Sequence, residues 1–264
     1  MNSIDFWKKE LEKVTDLSRV LDTSQVTCTK KLFGDNSLET EPELTPEQQD
    51  GIQDFRHFTF RTRGKFHEQL KRILRSNSVI AHLLRFFERG IVRMTFRKNT
   101  DREILGENTG AQMTPVSQGM YHIIFNTRFF NDSGLKVRIK SCNVEYDWSN
   151  VQTKEQALVI ILAHEALHAR HWAIYEMALR VARSKGAEGG DMAEPAVQWL
   201  REQRFSQDLI NIWFIRNTNV SPNRWEFRVD GRMISERMDN YIRDHNHITL
   251  DRALNEFKKD FPER

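Results

Sequence analysis

The run Ala157-Leu158-Val159-Ile160-Ile161-Leu162-Ala163 puts apolar residues on every side of any helix it forms, and His164-Glu165-Ala166-Leu167-His168 follows without a break. A helix that is hydrophobic all round offers no face to water, so it must pass through the middle of a domain with other elements packed on several sides. The run is far shorter than the roughly 20 apolar residues that span a bilayer, which makes it a core helix. Thr153 and Gln156 stand in the spacing of a capping box, and they predict a helix from Lys154 to about Arg183. On it His164 and His168 lie one turn apart on one face with Glu165 at the edge. Two imidazole nitrogens and a carboxylate then meet one point, as a metal with an activated water requires.

The pattern around this helix sets the fold class. Val92, Met94 and Phe96 alternate with Arg93, Thr95 and Arg97, the period of a half-buried strand. Met120–Phe125 and Leu135–Tyr146 are further strands, and a long loop is expected over Asn99–Gly119. Gly64–Gly90 reads as helix, with Phe66, Leu70, Ile73 and Leu74, then Ile80, Leu83, Leu84 and Phe87, at helical spacing on either side of Ser76-Asn77-Ser78. Upstream, Met1–Asp16 reads as an amphipathic helix and Gln25–Phe33 as a short strand. The acidic, turn-rich 34–49 segment ends in a helix start at Thr45, Pro46 and Gln48. Beyond the motif, Ser184–Pro195 is a loop and Ala196–Ile215 a helix. Ser221-Pro222 opens another helix, carrying Trp225, Val229, Met233, Met238 and Ile242 to about His245, and a short helix follows through Leu250 to Phe261. The expected class is α+β, mostly helical. Residues 1–90 form an N-terminal mainly helical region and 91–264 the domain around the motif, or the whole is one domain.

Composition narrows the function classes. A chain of 264 residues buries a core without staples. Cys28 and Cys142 are its only cysteines and no CxxC occurs, so neither a disulfide framework nor a thiolate zinc site is expected. Met1–Asp16 mixes charges with apolar residues and lacks the apolar core of a cleavable signal peptide. The expectation is a cytoplasmic protein, or one delivered without such a signal, and not a transmembrane one.

Strands followed by a buried helix bearing HExxH resemble the zincin metallopeptidases over about residues 120–245. Their small sheet packs on the motif helix, and the substrate lies along an edge strand. The resemblance implies Zn2+ held by His164 and His168, a peptide or protein substrate, a toxin- or effector-type role, and Glu165 as the general base. A catalytic zinc takes three protein ligands. The metzincin pattern would need Gly at 171 and His at 174, where this chain has His171 and Ile174, so that subclass is excluded. The gluzincin pattern places the third ligand in ExxxD on a later helix. Glu226 with Asp230 fits it, Asp230 then orienting an imidazole from the second shell. Glu236 in SERMDNYI and Glu188 at the shorter thermolysin-type spacing are the alternatives. His171 is expected to be a supporting or surface histidine, Glu176 to lie too far along the helix, Tyr175 to be packed and His122 to face solvent. Tyr241 and His245, with His247, are the candidates for holding the oxyanion.

A second signal lies upstream. Between Phe55 and Arg102 the chain has thirteen Lys or Arg (56, 61, 63, 65, 71, 72, 75, 85, 89, 93, 97, 98, 102) against three acids (68, 88, 101). Phe55, Phe58, Phe60 and Phe66 interleave with Arg56, Arg61, Arg63 and Lys65, a combination that nucleic-acid surfaces use for stacking and phosphate contact. Phenylalanines at this spacing are more often core. The alternatives to a peptidase are therefore a catalytically silent zincin-like binding protein and a nucleic-acid-associated protein using residues 55–102.

Overall fold

A computed structural model of the chain describes residues 58–88, 93–100, 105, 109–117, 119–126, 129, 146, 148–221, 224–228 and 231–261, apart from the side chains of 86–88, 117, 231 and 232. The N-terminal helix, the 25–33 strand, the 34–49 segment, both cysteines and all of the expected 135–146 strand except Tyr146 lie outside the described residues. In chain order the elements are β1 (Phe58–Arg61), α1 (Gly64–Ser76), α2 (Ser78–Glu88), β2 (Arg93–Lys98), β3 (Ala111–Ser117), β4 (Met120–Phe125), α3 (Lys154–Ser184), α4 (Ala193–Glu202), α5 (Gln207–Trp213), β5 (Phe214–Arg216), β6 (Trp225–Phe227), α6 (Gly231–His245) and α7 (His247–Asp260). The class is α+β with helix predominant. Two compact units divide the described residues: those within 58–170 together with 245–261, and those within 171–244.

In the first unit the sheet order is β1-β2-β4-β3, with β1, β2 and β4 parallel and β3 antiparallel at the edge. The apolar positions read in β2 are inside, Met94 and Phe96 being fully buried as are Tyr121, Ile123 and Phe125 of β4, but Thr95 on the other face is covered as well, at 7 % exposure. Phe58 and Phe60 of β1 pack on Phe96, with ring centroids 5.5 and 5.3 Å away. Strand β3 corrects the expected 99–119 loop. Pro115 reads as a breaker because it lacks an N–H, yet on an edge strand that missing donor costs no ladder bond. Gly119, at φ +65°, turns the chain from β3 into β4.

Helices α1 and α2 separate at Asn77, as its Ser-Asn-Ser context predicts. Its Oδ1 accepts from the Ile80 N–H at 3.1 Å and its Nδ2 donates to the Ala253 carbonyl at 2.8 Å. Glu256 of α7 caps α2 from outside, accepting from the Ser78 hydroxyl (2.6 Å), the Ser78 N–H (3.0 Å) and the Val79 N–H (3.2 Å). A carboxylate there meets the positive end of the helix dipole. One turn on, burial and then Arg170, Arg85 and Arg252 push the pKa of His82 down to about 3.

The run Ala157–Ala163 of α3 crosses this unit with no residue more than 4 % exposed, as a helix apolar all round must. The chain comes close to it at Gly110. A Cβ there would stand 2.3 Å from Ile161 Cδ1 and 3.3 Å from Phe129 Cε1, so only glycine lets the start of β3 approach the helix.

In the second unit two expectations change. The helix expected over Ala196–Ile215 is two helices, broken where Arg204 turns left-handed at φ +63° and Ser206 caps α5 by accepting from the Leu209 N–H at 3.2 Å. The helix expected from Ser221-Pro222 starts only at Gly231, because Trp225–Phe227 is a strand paired antiparallel with Phe214–Arg216. The pairing fixes Trp225 opposite Arg216, where it is 3 % exposed and lies against the Arg201 and Arg216 guanidiniums at 4.9 and 5.1 Å. Tyr175 stacks on Trp213 at 5.5 Å, and burial raises its phenol well above the ordinary range. Among the described residues no helix is long and apolar enough to cross a membrane.

Two outcomes follow for stability. Gly110→Ala should cost about 1–3 kcal/mol by overpacking, and Ile161→Val, which removes the clashing Cδ1, should recover part of it in a double-mutant cycle by urea unfolding. Additive losses would contradict this contact. The second outcome concerns acid. His82 resists protonation when folded, whereas the unfolded chain takes up a proton below about pH 6.5. Stability should therefore fall as pH drops from 6.5 towards 3, by at most about 1.4 kcal/mol per unit from this group. His82→Gln should flatten that limb, and an unchanged slope would count against it.

Candidate metal centre

Helix α3 begins where its capping pair predicts. Thr153 Oγ1 accepts from the Gln156 N–H at 3.2 Å, and Gln156 Oε1 reaches back to the Gln152 N–H at 2.7 Å. With the start pinned and the apolar run fixing the buried faces, the rotation of the motif is set.

His164 is 4 % exposed and His168 half-buried, and their Nε2 atoms face each other at 3.0 Å. Two imidazole nitrogens at that distance need one proton between them or one cation in its place. Tetrahedral zinc with bonds of about 2.0–2.1 Å holds two nitrogens about 3.3 Å apart. The pair therefore fits a zinc ion after opening by a few tenths of an ångström, which side-chain rotation alone supplies.

Glu165 is 7 % exposed, and its Oε2 accepts the Met113 N–H at 2.5 Å. That amide points away from β4, so the outer edge of β3 holds the carboxylate beside the two histidines. The strand is fixed there by Asn126, whose Nδ2 donates to the Thr109 carbonyl at 2.8 Å and whose N–H donates to Gly110 at 2.9 Å. Sequence reasoning missed Met113, Gly110 and Asn126. The available signal was the alternation of exposed Gln112 with buried Ala111 and Met113, which Pro115 obscures.

The structure thus brings His164 and His168 together at their ring nitrogens, with Glu165 on the same helix and in the same unit held to β3. The remaining candidates stand as follows. Glu226 lies in strand β6, where its Oε1 accepts from Asn217 Nδ2 at 2.6 Å, and not in the helix that the ExxxD reading required. Asp230 lies outside the described residues. Glu236 is exposed on α6, and Glu188 is exposed just before the 3-10 turn Gly189–Met192. Tyr241 is 5 % exposed, with its hydroxyl 3.4 Å from Ser206 Oγ and its ring edge-on to buried His171 at 5.3 Å. His245 and His247 are exposed at the junction of α6 and α7. Glu176 pairs with Arg180 on the same helix at 4.0 Å. His122 is half-buried and accepts from Arg97 Nε at 3.5 Å.

The aromatic half of the basic region is committed to packing. Phe58 is buried against Phe96, Phe60 lies under the Lys71 ammonium at 5.6 Å, and Phe66 lies under Lys98 at 5.0 Å. Phe55 and Arg56 lie outside the described residues. No family model, curated protein or solved structure matches this chain.

The Glu165 arrangement makes a stability prediction independent of any activity. Glu165→Gln keeps an acceptor for the Met113 N–H, so the metal-free variant should lose less stability than one that removes the acceptor. Glu165→Leu strands that N–H and should cost about 1–3 kcal/mol by calorimetry or denaturant titration. The reverse order would contradict the contact.

Proposed function

We propose that this chain is a zinc-dependent peptidase with a zincin-like, gluzincin-type centre. The observation that carries the reading is the facing pair of imidazole nitrogens with a buried carboxylate alongside, held by the outer amide of an edge strand. His164 and His168 would hold the ion. Bound zinc supplies a Lewis acid for the scissile carbonyl and for the attacking water. Glu165 takes a proton from that water and returns it to the departing amine. For this its carboxylate must exchange the Met113 N–H for the water, a step available because the same edge of β3 receives the extended peptide by strand addition.

Two histidines leave a catalytic zinc one protein ligand short. Glu226, Glu236 and Glu188 remain the carboxylates to test. Asp239 joins them, exposed on α6 within the Met238-Asp239-Asn240-Tyr241 stretch that follows Glu236. Replacing each by its amide separates them, because loss of a ligand weakens zinc affinity whereas loss of a solvated carboxylate does not.

The purified protein should hold about one equivalent of zinc and cleave unstructured peptides. Glu165→Gln should keep the metal and lose hydrolysis by at least about a thousandfold. His164→Gln and His168→Gln should lose the metal itself. Zinc retained by wild type with no hydrolysis of any peptide would favour the silent binding protein. Zinc retained equally by both histidine variants would overturn the centre altogether.

A further inference from the structure

The basic region contains a charge arrangement that the metal centre does not explain. In the parallel pairing of β1 with β2, Arg61 stands directly opposite Arg97, and Thr59 opposite Thr95. These residues, with Arg93, alternate with Phe58, Phe60, Met94 and Phe96, so they lie on the sheet face away from the buried phenylalanines. Like charges placed directly opposite across a strand pair repel. The chain then passes through Thr62, held to His67 Nδ1 at 2.9 Å, into α1, whose first turn carries Lys65 and no acid, with Arg63 at the cap position. Cations there oppose the helix dipole. Thr59, Arg61, Arg63, Lys65 and Arg93 are all exposed, and Glu68 is exposed on the following turn of α1. The centre of the same face, Thr95 and Ile124, is covered at 7 % exposure each, so the open part is the β1 border.

The exposed cations Arg61, Arg63 and Lys65 thus follow one another where β1 runs into α1, with no acid before Glu68, and a polyanion offsets their mutual repulsion. Arg93 and Arg97 are four residues apart, about 13 Å along the strand. That length lets phosphates two apart on one extended strand contact separate cations. The exposed apolar residues of the sheet, Val116 and Met120, are medium-sized and non-aromatic, and both are under two-fifths exposed. They offer little to insert into a lipid surface.

We propose that the β1 border, with Arg61, Arg63, Lys65 and Arg93, binds the phosphate backbone of single-stranded nucleic acid. With the phenylalanines packed inward, the contact is to phosphates and carries no base preference.

Fluorescence anisotropy with a labelled mixed-sequence oligonucleotide of about a dozen nucleotides tests this on the full chain. Four neutralised phosphates at about 0.7 each give a slope near −3 in log K against log salt, or about 50-fold weaker binding at 200 mM than at 50 mM salt. Arg61→Gln and Arg93→Gln, both exposed, should each weaken binding and lower that factor to about 20-fold. Arg201→Gln, which removes a cation held over Trp225 in the other unit, should leave the slope unchanged. No binding at 50 mM salt overturns the proposal. So does a slope indifferent to Arg61 and Arg93, and so does capture by phosphatidylserine vesicles in place of the oligonucleotide. Zinc content and hydrolysis play no part in these readings.

Discussion

The burial of one apolar helical run governs this structure. Leu158, Val159, Ile160, Ile161 and Leu162 together contribute roughly 10 kcal/mol on removal from water, comparable with the net stability of a whole domain. Because the run is apolar on every side, α3 must be enclosed. Gly110 meets it where a side chain would collide with Ile161, and β3 can lie close only because nothing projects there. The histidines and Glu165 follow this run directly, so their placement inherits its rigidity.

That placement explains how a carboxylate is kept in the interior beside two imidazoles. Glu165 needs a strong donor to offset desolvation, and the outer edge of β3 supplies one from the main chain. A backbone amide on a pinned strand helps to hold this carboxylate and brings no side-chain atom that would compete for a metal. The same geometry puts an extended strand edge against Glu165, the residue that follows the first histidine. In the peptidase reading, this is where catalytic base and substrate backbone would share one surface.

Much of this was legible in the residues, and the exceptions have physical causes. The apolar run, the Thr153–Gln156 cap and the apolar positions of β2 each reflect local pattern, and α3 and β2 lie where that pattern puts them. Strand β3 was hidden by Pro115, whose cost depends on whether the strand is central or at an edge, a tertiary fact. The β5–β6 pair was hidden because three-residue strands carry too little alternation to compete with flanking helical spacing. Trp225 served equally as a helix-face or strand residue until Arg201 and Arg216 enclosed it. Glu226 failed as a helical ligand for the same reason. The third ligand stays illegible because it must come from a segment distant in sequence, and spacing says nothing about which.

The central claim is that His164 and His168 close on a single ion, and zinc K-edge absorption spectroscopy of the purified protein tests it most directly. The account predicts a first shell of nitrogen and oxygen at about 2.0–2.1 Å, with outer-shell scattering from two imidazoles. One imidazole, a sulfur shell near 2.3 Å, or a signal unchanged when both histidines are replaced would contradict it.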